Sequence, residues 1–560
     1  MAVLDSARRS TKAFGRRVLG LDAPAADHSV VAVLHRDESE VPELDRREMA
    51  QLDRIRLLGA TGTVLMVISA LGVGAQPVLQ NPTSGIRIIA IFGRAHTGSL
   101  AVCMVGTTMV VLAWLLLGRF AVGGLGGSPL HRLTRSQLDR TLLLWILPLC
   151  IAPPMFSNDV YSYLAQSEIA ARGIDPYEMG PAQALGNDNV LTRNVPNIWR
   201  ETPAPYGPLF LWMGRGIAAL TGDNIIMGVW MHRILALAGV ALIVWALPRL
   251  SARCGVAPVS ALWLGAANPL VLFHLVGGVH NDALMLGLML AGLELCLRAI
   301  DIEPFDGRAY ALLIGGAVVI TLSSSIKITS IVTMGFVWVA LARKWGGGMR
   351  SLVISAALLG AIALSTTAVI SSLSGLGFGW VHTLNTASAV RSWMSLPTAV
   401  GIVTGFGGVL LGLGDHTTAM LSITRPIAAV VAAFVTVRML VATGTGRLHP
   451  VGALGVSLGA IVLLFPVVQP WYLLWAIVPL AAWATRPIFR VPAILFSAIV
   501  SVLQMPRGGE FEVFQIVGSA IVTVIVCLLF IVVTRNALPW RGQSGVSAPS
   551  QQPTSYGVSS

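Results

Sequence analysis

Lysine is nearly missing from this 560-residue chain: only three of its 38 basic residues are lysine, the rest arginine. Charge of any kind is scarce, at 11% Asp, Glu, Lys and Arg, while 55% of residues are hydrophobic and mean hydropathy is +0.75. A soluble domain carries about a quarter charged residues, so a soluble enzyme or binding module is excluded. Strands of alternating apolar and polar residues are also missing, which excludes a membrane β-barrel. Cysteines number five, Cys103, Cys150, Cys254, Cys296 and Cys527, with no CxxC spacing. Neither a disulfide framework nor a zinc site follows from them. The formal charge of +12 would suit nucleic acid, but the arginines lie between apolar runs and in the N-terminal tail, where they act as topology signals. No nucleic-acid partner is expected.

What the chain has instead is long apolar runs. About twenty apolar residues cross about 30 Å of hydrocarbon as a helix. The runs predict an all-α, polytopic membrane protein of about 14 spans, near 56–78, 98–118, 141–157, 225–247, 256–276, 282–298, 309–325, 327–342, 351–373, 425–443, 451–468, 471–485, 491–505 and 512–534. Two stretches, 208–221 and 396–413, are short or rich in Gly and Pro and read as re-entrant or interfacial. The chain then divides into a cytoplasmic Arg-rich polar tail, 1–55, a membrane domain, 56–535, with outer loops 158–224 and 374–424, and a cytoplasmic tail, 536–560, expected to be disordered. The first tail is too long for a signal-peptide n-region, so the first apolar run is expected to be retained. With the N-terminus cytoplasmic, the inside segments collect Arg119, Arg132, Arg135 and Arg140; Arg249 and Arg253; Arg343, Lys344 and Arg350; Arg486 and Arg490; and Arg535 and Arg541, as the positive-inside rule requires.

This topology puts four unusual segments on the outer side: Phe156–Glu178 (FSNDVYSYLAQSEIAARGIDPYE), Gly277–Ala283 (GGVHNDA), Ser323–Ser330 (SSSIKITS) and Pro466–Trp475 (PVVQPWYLLW). Polar groups converging at one membrane face mark a site. The first segment predicts a helix from Asp159 to Arg172, ended by Gly173 and lying in the interface with Tyr161, Tyr163 and Leu164 as anchors. Asp159 at its start is either a cap for the helix or a base aimed into a cavity, with Ser157 and Asn158 free to cap in its place. Glu168, nine residues on, projects from the opposite face, so the two acids do not pair. Chemistry that needs two adjacent carboxylates is not supported here, whereas a single displacement needs one base. Asp175 and Glu178, in the turn GIDPYE, read as structural.

Lys327 interrupts an apolar stretch, where a charge must be paired or wet; it either binds an anion or snorkels to the headgroups. Arg233, beside His232 in an expected span, binds the same anion or makes an interhelical hydrogen bond. Arg215 and Arg391 are weaker candidates. His280, Asn281 and Asp282 start an apolar helix, as caps or as hydrogen-bonding partners of sugar hydroxyls. Trp471 and Tyr472 are either interfacial belt aromatics or a platform for a sugar face. One His and one Asp without a second ligand pair make a weak metal signal, and no metal is expected. Polytopic transporters and scaffolds share the hydrophobicity, but a transporter should show repeat symmetry and ionisable groups at the midplane, and a scaffold leaves the buried lysine unexplained.

The stretches PPMFSNDVYSYLAQ, GIDPYEMGP, ETPAPYGPLFLW, LGAANPL, GGVHNDALMLGLML and LLFPVVQPWYLLWAIVPLAAWATRP closely resemble the polyprenyl-phosphate-mannose-dependent α-(1→6)-mannosyltransferases of mycobacteria and corynebacteria, the MptB type most of all. The resemblance runs from about Arg56 to Arg541. It implies a GT-C glycosyltransferase that takes mannose from a polyprenyl-phosphate donor at the outer face of the plasma membrane and extends the mannan of lipomannan and lipoarabinomannan on a phosphatidylinositol-mannoside-type acceptor. In that superfamily an acid in the first large outer loop is the catalytic base, and the matching residue is Asp159. Some relatives carry two adjacent acids there, where this chain has Asn158 and Asp159. On this reading Lys327, with Arg233, holds the donor phosphate; His280, Asn281, Asp282, Tyr163, Trp471 and Tyr472 hold sugar or acceptor; and neither metal nor cofactor is required.

Overall fold

In a bilayer the backbone N–H and C=O groups must pair within their own segment, and every regular element described in this chain is helical. The computed structural model describes residues 43–83, 85–122, 133–389, 392, 394–506 and 511–540. Most of the two expected tails lies outside the described residues, as do Arg132, Arg391 and Arg541. The helices that frame the bundle are α1 (Arg46–Val73), α2 (His96–Val122), α3 (Arg135–Ile151), α4 (Asp159–Ala171), α5 (Pro208–Thr221), α6 (Ile225–Arg253), α7 (Asp282–Asp301), α8 (Gly307–Ser324), α9 (Val332–Lys344), α10 (Met349–Ser374), α11 (Leu396–Leu410), α12 (Thr417–Gly444), α13 (Pro450–Leu464), α14 (Leu473–Trp483), α15 (Pro487–Leu503) and α16 (Val513–Thr534).

Each of the fourteen apolar runs carries a helix, and among the described residues eight helices are long and apolar enough to cross a membrane: α1, α2, α6, α7, α8, α10, α12 and α16. Two of the others are interrupted by identifiable residues. Run 256–276 stops at Gly265 and resumes as a π-turn, Val271–Gly277, because Asn268 and Pro269 intervene. The Asn268 side chain accepts from the Leu270 N–H at 2.9 Å, replacing a helical bond. Run 327–342 opens as a 3₁₀ turn, Ile328–Ile331, before α9. The serines ahead of it cause the break: Ser324 and Ser325 donate back to the Thr321 carbonyl, and Ser323 donates across to the Met285 carbonyl at 2.7 Å.

Lipid supplies little drive for helices to associate, so small residues let backbones approach. A Cβ on Gly62 or on Gly106 would stand 2.7 Å from the other's carbonyl oxygen, locking α1 to α2, and Gly292 and Gly316 do the same for α7 and α8. Gly239 meets the Ala283 and Leu284 backbone, which fixes α6 against the first turn of α7.

α4 differs from its expectation. Ten of its thirteen residues are buried, Tyr161, Tyr163 and Leu164 among them, so these three are core side chains and not lipid anchors. The Tyr161 hydroxyl donates to the Ala75 carbonyl. At the end of the bundle remote from α4, Arg253 pairs with Glu294 at 2.7 Å and with Asp301, and Lys344 pairs with Glu303. The two ends are thus chemically distinct: arginine and lysine paired with acids, two of them exposed, at one, and at the other a buried lysine–aspartate pair among aromatic and amide side chains.

Candidate active site

At the second end, three hydrogen bonds join six stretches of chain in pairs. The Met155 N–H donates to the Gly277 carbonyl at 3.1 Å, the Gly207 N–H to the Ile326 carbonyl at 3.0 Å, and Thr398 Oγ1 to the Pro466 carbonyl at 3.0 Å. Phe156, at φ 65°, and Val279, at φ 60°, both take the left-handed conformation, which is an outlier for a β-branched residue. One lies three residues before Asp159 and the other one residue before His280. Such strain persists where surrounding structure imposes it, and it collects at functional sites.

Asp159 begins α4. Its N–H donates to Ser157 Oγ at 3.1 Å, while Asn158, at the cap position, makes no side-chain cap bond. The carboxylate lies beside Ser157 and His280, and its side chain keeps 23% exposure. Burial pushes its pKa from the usual carboxylate range up to about 6; Lys327 pulls it down, Asp282 pushes it up, and the Ser157 hydrogen bond lowers it again. His280 Nδ1 lies 3.9 Å from Asp159 Oδ2 and 3.4 Å from the Tyr163 hydroxyl, and the His280 ring stacks on Trp471 at 3.7 Å. Tyr163 is held edge-on by Tyr206 and Phe210, at 5.2 and 5.0 Å.

Lys327 Nζ contacts both oxygens of fully buried Asp282, at 3.0 and 2.9 Å, and lies 4.5 Å from the centre of the Tyr472 ring. Trp475 donates its indole N–H to the same Asp282 at 2.7 Å. An ammonium carries three donors; two contacts go to Asp282 and the Tyr472 side chain takes a further hydrogen bond. Asp282 thus serves Lys327, and Lys327 is paired, not snorkelling. Asn281, at the start of α7, also caps nothing: both atoms of its buried amide lack a partner among the described residues, as do Asn158 Oδ1, Ser162 Oγ, Gln166 Oε1, His280 Nε2 and Trp471 Nε1. Unpaired polar atoms on this scale are costly to bury unless a ligand or water completes them.

The structure thus brings together Asp159, Tyr163, His280, Asp282, Lys327, Trp471 and Tyr472, from parts of the chain more than 300 residues apart, with Asn281 between His280 and Asp282 in sequence. Both family models reflect this span. One described as alpha-(1->6)-mannopyranosyltransferase, N-terminal domain, matches residues 56–343, and one described as MptB C-terminal domain matches 397–532. The chain belongs to the α-(1→6)-mannopyranosyltransferase family. It is 54% identical over 544 residues to a probable α-(1→6)-mannopyranosyltransferase of Mycolicibacterium smegmatis, covering 94% of this chain and 96% of that one. An α-(1→6)-mannopyranosyltransferase of Mycobacterium tuberculosis is 52% identical, over 91% and 92% of the two chains, and α-(1→6)-mannopyranosyltransferase B of Corynebacterium glutamicum is 39% identical, over 84% and 80%. No solved structure matches.

Not every candidate joins this cluster. Arg233 is buried, and its two terminal nitrogens donate to the Cys150 and Ala152 carbonyls, both at 2.7 Å. It clamps the end of α3 and the strand of chain leading to Asp159. Glu168 pairs with Arg172 at 2.8 Å, Asp175 Oδ1 accepts from the Tyr177 N–H at 2.8 Å, and Arg215 donates to the Ser374 carbonyl at 2.8 Å. Trp475 and Tyr206 are additional residues of the cluster, bonded to Asp282 and packed on Tyr163, and α4 adds two buried side chains with unpaired oxygens, Ser162 and Gln166. The last two follow Asp159 at helical spacing, three and seven positions on, so a stripe count on α4 would have found them. Tyr206 and Trp475 carry no local signal beyond the scarcity of tyrosine, seven in the chain.

Proposed function

We propose that this protein is an inverting GT-C mannosyltransferase of the plasma membrane, transferring mannose from polyprenyl-phosphate-mannose to the 6-hydroxyl of a mannan chain at the outer face, in lipomannan and lipoarabinomannan core synthesis. The observation that carries the reading is a single shielded carboxylate, Asp159, within electrostatic reach of the Lys327–Asp282 pair. In the reaction Asp159 takes the proton of the acceptor 6-hydroxyl as that oxygen forms its bond to the anomeric carbon. The bond from that carbon to the phosphate oxygen breaks on the opposite face, and the phosphate leaves with the electron pair, so a β-linked donor gives an α product. The Lys327 charge, held in place by Asp282 and Tyr472, stabilises charge on the departing phosphate where it develops. His280 and Trp471 border the sugar, and the open amides of Asn281 and Gln166 bond its hydroxyls. Lysine supplies the cation this scheme needs, and no step calls on a metal.

Purified protein incubated with labelled polyprenyl-phosphate-mannose and a short α-mannoside should yield an α-(1→6)-extended product on linkage analysis. Absence of incorporated label, with the protein folded, would overturn the reading.

A further inference from the structure

Arg233 lies in membrane-spanning α6 and is 1% exposed, yet no carboxylate pairs with it among the described residues. A charge so placed must be paired or wet. The titratable side chains that act on it, Cys150 and Tyr161, are neutral at pH 7. Two of its five N–H donors go to the Cys150 and Ala152 carbonyls, where α3 ends and its dipole is negative. The other three include Nε, which is buried with no partner among the described residues. The carbonyl clamp thus positions the guanidinium without completing it.

The same side chain lines a neck of about 160 Å³, about five water volumes, bounded by residues 71–83, 151–154 and the first turns of α6. No acid lines this neck. Asn81, also on its wall, gives one amide hydrogen to Gln76 at 2.6 Å and has a second to give. Pro77, Pro82, Pro153 and Pro154 stiffen the wall, so the space is preformed. A preformed space edged by a cation and an amide donor, with no carboxylate, selects an anion, and a guanidinium binds oxyanions through parallel N–H bonds.

The way in is from the membrane. The neck shares Pro82, Ile226 and Trp230 with a groove along α6, on which Met227, Trp230 and Ile234 stand 53%, 40% and 54% exposed. Asp223 lines the groove and not the neck. α6 has 29 residues, about 43 Å against about 30 Å of hydrocarbon, so Arg233, about 12 Å from its start, lies close under the headgroups. Phosphate is the oxyanion that headgroups and water both supply at that level.

We infer that the neck is a phosphate site, in which Arg233 and Asn81 hold the oxygens of a phosphate group brought by a lipid headgroup or by free phosphate. It stands apart from the transfer centre, because Tyr161 lines the neck and Asp159, two positions earlier, projects from the other side of α4. The inference does not rest on the proposed reaction.

The test uses the full chain in dodecyl maltoside, which carries no phosphate, with dodecyl phosphate bearing a diazirine beside the phosphate and the matching dodecanol as probes. Photolabel from the phosphate should concentrate on peptides covering 76–83 and 226–233 and exceed that from the alcohol about tenfold, the worth of a charged hydrogen bond. It should fall as far in Arg233→Gln, and also in Ile226→Trp, which fills the neck and leaves Arg233 and its clamp in place. The double variant Asp282→Leu, Lys327→Met, which has no lysine at the transfer centre, should label as the wild type does. Excess inorganic phosphate that displaces the label supports the site with free phosphate as occupant; label that persists supports it with a lipid headgroup. Equal labelling by both probes, indifference to Ile226→Trp, or loss of label in the double variant would overturn the assignment. None of these readouts depends on turnover, so this site and the transfer reaction stand or fall separately.

Discussion

Asp159 combines two properties that set its experimental signature. Its folded pKa of about 6 stands above the ordinary carboxylate value, so the protonated form is favoured by the fold. The stability this represents is complete below the unfolded pKa and is lost as pH rises through about 6. At neutral pH the charged carboxylate therefore opposes folding, and Asp159→Asn should abolish mannosyl transfer while the melting temperature holds or rises. That rise should shrink when melting is repeated near pH 4. A base must be deprotonated, so kcat/KM of the wild type should fall with unit slope below about pH 6. Because the Lys327 charge lowers the Asp159 pKa, residual activity of Lys327→Met should show its acid limb at higher pH. An acid limb that does not move in Lys327→Met, measured with saturating donor, would place the two groups in separate environments. Treatment with EDTA should leave wild-type rates unchanged if lysine is the cation.

At the scale of elements, the site depends on breaks more than on helices. Asp282 on α7, Lys327 in the gap between α8 and α9, and Trp475 on α14 form one charge-centred cluster. Removing one member of a buried pair strands the other, at a cost of about 3–5 kcal/mol. Asp282→Leu alone should destabilise by that much in denaturant or thermal unfolding, and Lys327→Met in the same chain should recover most of it with no return of activity. A double variant as unstable as the single would mean that the cluster's cost lies in packing. The helix crossings are a separate matter: Gly239→Val forces α6 off the α7 backbone and should cost about 1–3 kcal/mol, read by thermal unfolding in detergent, while Gly216, with open space where a Cβ would go, should tolerate Ala. These distinctions mark what the sequence carried. The apolar runs located the helices, since period and length survive any tertiary context. The serine-rich break at Ser323–Ser325 was visible as an interruption, whereas run 256–276 reads as one span across Asn268–Pro269; the resulting 3₁₀ turn and π-turn go with bonds to distant partners, the Met285 carbonyl and the Ser497 hydroxyl. Asp159, His280 and Lys327 were legible as polar residues out of place. The Asp282–Lys327 pairing, the carbonyl clamp of Arg233 and the burial of α4 were not, because each is decided by a partner from 45 to more than 80 positions away.

For the whole molecule the decisive question is which side of the membrane carries the site. The Arg253, Glu294 and Asp301 cluster occupies the end that the arginine distribution assigns to the cytoplasm, and the Asp159 cluster the other. Asp188→Cys, on the exposed loop at the site end, should react with an impermeant maleimide on intact cells, and Arg350→Cys only after permeabilisation, each read against the background of the five native cysteines. The reverse pattern would turn the enzyme over.

One bond has a wider reach than its length suggests. The indole of Trp475 touches a carboxylate 193 positions upstream, so the region matched by one family model holds the charges and the region matched by the other holds their aromatic seat. A chimera joining the first half of this chain to the second half of a distant cousin must carry Trp471, Tyr472 and Trp475 across the junction, or it will inherit a lysine and an aspartate with nothing to settle against.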